Sequence, residues 1–98
     1  MYHIWLDDIR QSPHPDFIVV KNYNEAVSAV KSIIQEIKTD KDIFISFDHD
    51  LGSKKTGYDF AKWLVKNSIV GLYQIHSMNS VGAKNIRELL DHYGWREI

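Results

Sequence analysis

Three short apolar segments of this chain each end in side chains that could bind a metal ion or handle a phosphate. The polar side chains that follow these segments are Asp7, Asp8, Asp48, His49, Asp50, His76 and Ser77. In an open parallel α/β sheet, ligands bind beyond the carboxyl ends of the strands. If the three segments are neighbouring parallel strands, these side chains meet at one edge of the sheet. The sequence therefore predicts a reaction or binding site at that edge.

The carboxylates at this edge are the candidate metal ligands. Hard divalent cations such as Mg²⁺ take oxygen ligands, usually one or two carboxylates together with water and phosphate. Several anions gathered in one place repel one another unless they share a cation. We therefore expect Mg²⁺ or Mn²⁺ to be held by Asp7, Asp8, Asp48 and Asp50. An acidic pair after a strand is also typical of a plain turn, and that alternative stays open.

Two histidines could move protons at the same edge. His49 lies between two carboxylates, which suits a general acid, and His76 follows the last of the three apolar segments. The alternatives are that His49 is a solvated loop residue and that His76 is the hydrogen-bonded polar end of a strand. The remaining histidines, His3, His14 and His92, are interpreted as structural.

Residues 52–57 form a loop with two glycines and two lysines ahead of a predicted helix. No Gly-Lys-Ser/Thr follows, so the loop is not a P-loop. The first N–H groups of the helix could still hold an anion, with Lys54 or Lys55 adding positive charge. A solvated pair of surface lysines is the alternative.

Three further residues are candidate phosphate contacts. Ser77 and Asn79 precede the last predicted helix, and Arg10 follows the acidic pair. Asn79 could instead be only a helix cap, and Arg10 could simply pair with a neighbouring aspartate.

Composition limits the function classes. The 98 residues suffice for one domain, residues 1–98, with a thin core. Twelve Lys and Arg against 13 Asp and Glu give no basic excess, so bulk nucleic-acid binding is not expected. The absence of cysteine excludes disulfides and cysteine-bound zinc. The first residues do not resemble a secretion signal, and no apolar run approaches the roughly 20 residues needed to span a membrane, so we expect a cytoplasmic location without a membrane partner.

Hydrophobic patterning predicts an α/β fold with strands over residues 3–6, 17–20, 43–47 and 72–75. Helices are predicted from Asn24 to about residue 37, over residues 57–66, and from residue 79 or 80 to Gly94. Alternation of strand and helix favours a parallel sheet covered on both faces. The link between the first two strands is short, so the direction of the second strand stays open.

Four segments of the sequence resemble the cyclic-phosphate-processing receiver-like domains. They are residues 6–10, 45–52, 56–59 and 76–82, and the resemblance extends over nearly the whole chain. It implies a reduced response-regulator receiver fold: a small three-layer, truncated flavodoxin-like α/β sheet of about four mostly parallel strands with about three helices. In receivers an acidic pair binds Mg²⁺, an aspartate accepts phosphate, and a Ser or Thr ends the fourth strand. The residues at these places are Asp7 and Asp8, Asp48, and Ser77.

The sequence also departs from ordinary receivers. No fifth strand bearing the receiver's lysine is predicted after Ser77, and a proline-containing loop replaces the first receiver helix. His49 and His76 are additions that a hydrolase could use.

The resemblance implies processing of a cyclic phosphate or nucleotide signal, a role associated with conflict between bacteria and phages. We therefore expect a metal-dependent phosphoesterase with a small phosphorylated or cyclic nucleotide ligand. Its expected catalytic residues are Asp48, His49 and His76. Its expected substrate contacts are Arg10, Lys55, Ser77 and Asn79. One alternative is a non-catalytic receiver-like module that binds a nucleotide or a protein partner, or is phosphorylated on Asp48. The other is a structural interaction domain.

Overall fold

The computed structural model describes residues 1–98, which form five strands and three α-helices. The strands are β1 (Tyr2–Leu6), β2 (Ile18–Val20), β3 (Ile43–Phe47), β4 (Leu72–Ile75) and β5 (Arg96–Glu97). The helices are α1 (Tyr23–Ile33), α2 (Gly57–Lys66) and α3 (Ser80–His92), and a 3₁₀ turn (Ile34–Glu36) follows α1. The predicted α/β class is confirmed. None of these helices is both long and apolar enough to cross a membrane.

All five strands are parallel, in the order β2-β1-β3-β4-β5. The register pairs Leu6 with Phe47 and Phe47 with Ile75, so β1, β3 and β4 end side by side. The loops that follow these strands therefore start at the same edge, as predicted.

The second and fifth strands add to what the sequence predicted. The second strand, whose direction was open, is parallel to β1 and is reached by a coil over residues 7–17. A fifth strand, which was not expected, pairs Arg96 with Leu72 and Glu97 with Tyr73. The sheet therefore has one strand more than the four or so expected, because two residues are too few to give a hydrophobic pattern. This strand carries no lysine.

All three helices lie on one face of the sheet. Helix α2 contacts both α1 and α3, and the buried residues of the three helices form one cluster with alternate residues of the strands. The opposite face carries Trp5, Phe44 and Leu72, which are buried outside that cluster. Trp5 donates a hydrogen bond to the Arg10 carbonyl and contacts Phe17, so the coil after β1 lies over this face. The expected third layer of helices is therefore absent, and coil takes its place.

Side-chain caps begin each α-helix. Asn22, rather than the predicted Asn24, caps α1, and Asn79 caps α3. Thr56 and Asp59 form a capping box at the start of α2. Helix α1 ends at Ile33 and continues as the 3₁₀ turn instead of reaching residue 37.

Two apolar side chains near the ends of α3 lie outside the core. Val81 is 69% exposed and Tyr93 is 51% exposed, because both face away from the sheet. Gly94, with φ of 92°, ends this helix as predicted.

Candidate functional site

Three carboxylates meet beyond the ends of β1 and β3. Asp7, Asp8 and Asp48 each offer one oxygen, and these oxygens lie within 4.8 Å of one another. The parallel pairing continues past the strands, since the Asp48 N–H donates to the Leu6 carbonyl at 2.9 Å. This pairing brings the acidic pair after β1 next to the aspartate after β3.

Asp7 is the most constrained of the three. Its Oδ1 accepts hydrogen bonds from the backbone N–H groups of Ile9 and Arg10, each at 2.9 Å, and its Oδ2 lies 2.9 Å from His76 Nε2. Burial alone would raise the pKa of this carboxyl. The two backbone donors and His76 outweigh burial and lower the pKa below its usual range. Asp7 is therefore an ionised carboxylate although it is only 2% exposed.

Each of the three carboxylates keeps an oxygen that could accept a further bond. A carboxylate has about four lone-pair positions. Asp7 Oδ2 lies within hydrogen-bond distance of one donor, Asp48 Oδ1 accepts from the His49 N–H at 2.8 Å, and Asp8 accepts no hydrogen bond from the protein. The cluster therefore presents free acceptor capacity from three residues at one point.

His76 follows β4 and lies behind this cluster, where its ring contacts residues of β1 and β3. Its ring stacks on Trp5 with 3.9 Å between centroids, and its Nδ1 is 2.7 Å from Ser46 Oγ. Burial lowers the pKa of His76 even though Asp7 opposes this shift. An ionised carboxylate only accepts, so the proton of the neutral ring lies on Nε2, which donates to Asp7. Both ring nitrogens thus have partners within the protein.

His49 belongs to a second cluster beside the acidic one. Its Nδ1 lies 2.8 Å from Asp50 Oδ1, and Asn79 Nδ2 is 3.3 Å from both Asp50 oxygens. The ring also lies against Gly82 in the first turn of α3, where a β-carbon would be 2.3 Å from His49 Cγ. The hydrogen bonds from His49 and then Asn79 lower the pKa of Asp50. The loop after β3 is thereby tied to the start of α3.

A cleft of about 390 Å³ lies over the acidic cluster. Its lining residues are Asp7, Asp8, Ile9, Arg10, Asp48, Asp50, Gly52 and Met78. Arg10 is the one cationic side chain among them, and its Nη1 donates to the His76 carbonyl at 2.8 Å and lies 3.7 Å from Asp7 Oδ2. Two apolar side chains at the rim, Ile9 and Met78, are 84% and 85% exposed.

The other predicted substrate contacts lie outside this cleft. Lys55 places its ammonium 4.4 Å from the centre of the Tyr23 ring and lines a different pocket. Ser77 Oγ accepts from the Asn79 N–H at 3.1 Å, so its hydroxyl shapes the turn into α3. Of the predicted set, the structure brings together the four aspartates and Arg10, with His76 behind them and His49 beside them.

Three residues at the site were missed by the sequence analysis. Gly52 has φ of 66°, and a β-carbon there would be 2.9 Å from Asp8 Oδ2. Two strand residues were not recognised as contacts of His76. Trp5 stacks on its ring, and Ser46 Oγ lies within hydrogen-bond distance of its Nδ1. The strand period of two could have placed Trp5 on the same face as His3, but the pairing of Trp5 with Ser46 depends on the sheet register.

The sequence matches one known protein family. The family described as the cyclic-phosphate processing receiver domain matches residues 2–92 of the 98 residues. This chain belongs to that family. The match to the cyclic-phosphate processing receiver domain includes the acidic pair after β1 and the aspartate after β3, whereas β5 lies outside the matched residues and carries no lysine. Curated proteins and solved structures give no match.

Proposed function

We propose that this domain binds a divalent cation at the acidic cluster and hydrolyses a cyclic phosphate or nucleotide. The observation that carries the proposal is the meeting of three carboxylates with free acceptor capacity within 4.8 Å. Family membership supports the substrate class, since the family is described by cyclic-phosphate processing. A role in conflict between bacteria and phages stays a prediction from the resemblance.

The donor set fits Mg²⁺ or Mn²⁺. All candidate ligands are hard carboxylate oxygens, and Asp7 is ionised without a metal. A bound divalent cation would offset the repulsion among the carboxylates and polarise a phosphoryl oxygen. Asp50 lines the same cleft and is the fourth predicted ligand, but its oxygens already contact His49 and Asn79. We therefore assign the metal to Asp7, Asp8 and Asp48.

Arg10 and the pair of His49 and Asp50 have separate proposed roles. The Arg10 guanidinium uses Nη1 on a backbone carbonyl and is 44% exposed, so its remaining N–H groups can donate to a phosphoryl oxygen. Asp50 lines the cleft, and His49 contacts it through Nδ1. We assign proton transfer to this pair: the water that attacks phosphorus would lose one proton to the pair, and the pair would return one proton to the alkoxide that leaves.

The rim of the cleft favours a ligand with an apolar part. Ile9 and Met78 come from the loops after β1 and β4, and both line the cleft while largely exposed. A nucleobase bound between them would cover apolar surface that now faces water. This supports a nucleotide over a bare sugar phosphate.

Titration calorimetry with Mn²⁺ tests the metal site. Asp48→Asn and Asp8→Asn should each weaken binding at least 10-fold, because each removes a charged ligand. Asp16→Asn is the matched control, since Asp16 is an exposed aspartate in the coil after β1. Equal affinity in all four proteins, or no binding by the wild type, would contradict the proposal.

A turnover screen tests the reaction. Cyclic 2′,3′- and 3′,5′-nucleotides and cyclic oligonucleotides would be incubated with Mg²⁺ or Mn²⁺, and products separated by chromatography. We expect His49→Ala to lower turnover by roughly 10²–10⁴-fold, the usual effect of losing one general acid or base. His92→Ala, at the exposed end of α3, is the control. Wild-type turnover in His49→Ala would remove the proton-transfer role.

A further inference from the structure

We propose that Gln74 and Ser46 are positioning residues that direct the His76 Nε2–H at Asp7. The proposal rests on the proposed metal site, because its consequence is the orientation of one candidate ligand. Neither residue lines the acidic cleft. They act on it through a chain of hydrogen bonds across three neighbouring strands.

This series of hydrogen bonds starts at Gln74 on β4 and ends at Asp7, after β1. Gln74 Nε2 donates to Ser46 Oγ at 2.9 Å, and Ser46 Oγ lies 2.7 Å from His76 Nδ1. His76 Nε2 then lies 2.9 Å from Asp7 Oδ2. The register places Ser46 directly opposite Gln74 on one side and opposite Trp5 on the other. Trp5 stacks on one face of the His76 ring, and this contact restricts rotation of the imidazole.

The direction of the chain follows from counting donors and acceptors. Ser46 is 0% exposed, and its hydroxyl has one proton to donate. Gln74 approaches it with an N–H, which can only donate, so the remaining partner that can accept is His76 Nδ1. Nδ1 is therefore unprotonated, and the proton of the neutral ring lies on Nε2. Gln74 thus fixes the orientation of the serine hydroxyl, and the serine fixes the tautomer of the histidine.

The consequence for the site is the placement of Asp7 Oδ2. With a donor on one side, this oxygen is held at a fixed position and keeps a lone pair for the cleft. Removing a residue that hydrogen-bonds a metal ligand commonly changes metal affinity by about 10–100-fold. The two backbone N–H groups hold Oδ1, so His76 is the donor that holds Oδ2.

Long-range ¹⁵N–¹H correlation spectra of the metal-free protein test the tautomer. We expect the wild type to show protonated Nε2 and unprotonated, hydrogen-bonded Nδ1 in His76. In Ser46→Ala, the Nδ1 signal should move toward that of a free acceptor nitrogen. Ser46→Thr, which restores a hydroxyl, should return the signal. Protonated Nδ1 in the wild type would overturn the proposal, and this measurement needs no variant to fold.

Mn²⁺ titration of the same proteins tests the consequence. We expect Ser46→Ala to weaken Mn²⁺ binding by about 10-fold or more. Gln74→Leu should weaken Mn²⁺ binding less, and Ser46→Thr should restore the wild-type affinity. Ser32→Ala, a serine on the exposed side of α1, is the matched control. Unchanged affinity together with an unchanged Nδ1 signal in folded Ser46→Ala would overturn the proposal. If the wild type binds no Mn²⁺, the proposed metal site is wrong. The ¹⁵N signals of the His76 ring would then still test the order of the hydrogen bonds.

Discussion

The imidazole of His76 lies flat against the indole of Trp5, with ring centroids 3.9 Å apart and parallel ring planes. Trp5 is only 6% exposed, and its Nε1 donates to the Arg10 carbonyl at 3.0 Å. One residue of β1 therefore supports both the histidine behind the acidic cluster and the coil that carries Arg10. This relationship makes Trp5 part of the structure of the site although it lies outside the cleft.

Replacing Trp5 with phenylalanine should lower the free energy of unfolding by about 1–2 kcal/mol, because it removes a hydrogen bond and part of the stacked surface. Urea denaturation measures this change. Trp63→Phe is the control, since Trp63 is partly exposed and stacks on Phe60. Equal losses in the two variants would contradict the assigned role of Trp5.

Gly82→Ala should destabilise the protein through His49. Alanine normally favours a helix over glycine by about 1 kcal/mol. Here the added β-carbon would lie 2.3 Å from His49 Cγ, so the ring must move, at a cost of about 1–3 kcal/mol. In a His49→Ala background the same change should become neutral or stabilising. A double-mutant cycle by urea denaturation measures this coupling, and a cycle without coupling would refute the contact.

Gly52→Ala should weaken both folding and Mn²⁺ binding. Its φ of 66° costs a non-glycine residue roughly 1–2 kcal/mol, and the new β-carbon would lie 2.9 Å from Asp8 Oδ2. Gly94→Ala is the matched control, because Gly94 also has positive φ but its nearest neighbour would be 3.8 Å away, on Val70. We expect Gly94→Ala to lower stability without changing the Mn²⁺ dissociation constant. Loss of Mn²⁺ affinity in both variants would mean that the loss comes from general destabilisation and not from the contact with Asp8.

Stability should fall in alkaline solution because of Tyr73. This fully buried side chain donates to Asp91 Oδ1 at 2.6 Å, and burial, then the bond to Asp91, raises the pKa of Tyr73 well above its usual value. Above about pH 10 the unfolded chain loses the phenolic proton while the folded chain keeps it, so the free energy of unfolding decreases as pH rises. Urea denaturation from about pH 8 to 11 should show a shallower decrease in Tyr73→Phe. Tyr93→Phe, at an exposed position, should keep the wild-type slope.

Small phosphodonors should not label Asp48 stably. The cleft has one cationic side chain, Arg10, which already donates to the His76 carbonyl, and β5 carries no lysine to stabilise a phosphoaspartate. Intact mass after incubation with an acyl phosphate and Mg²⁺ measures labelling. A stoichiometric label that disappears only in Asp48→Asn would favour the phosphoacceptor alternative over hydrolysis.

Local sequence patterns predicted most of the secondary structure and the edge at which the site lies. The strands at residues 43–47 and 72–75 and the helix at residues 57–66 were predicted within a residue, because apolar spacing and the Thr56 capping box are local signals. The acidic residues were placed correctly at one edge because parallel strands end together. The two-residue β5 and the end of α1 gave no such signal.

Contacts between distant residues decided what each site residue faces. His49 and His76 look alike in sequence, since each follows an apolar strand. Yet sheet register turns His76 toward Ser46 and Asp7, while the missing β-carbon of Gly82 admits the His49 ring at the start of α3. The number of helical layers was likewise decided by tertiary packing, because all three helices pack on one face of the sheet and the coil after β1 covers the other face with Phe17. The sequence by itself determined which side chains gather at this edge, and the sheet register and the close approach at Gly82 determined which of them touch.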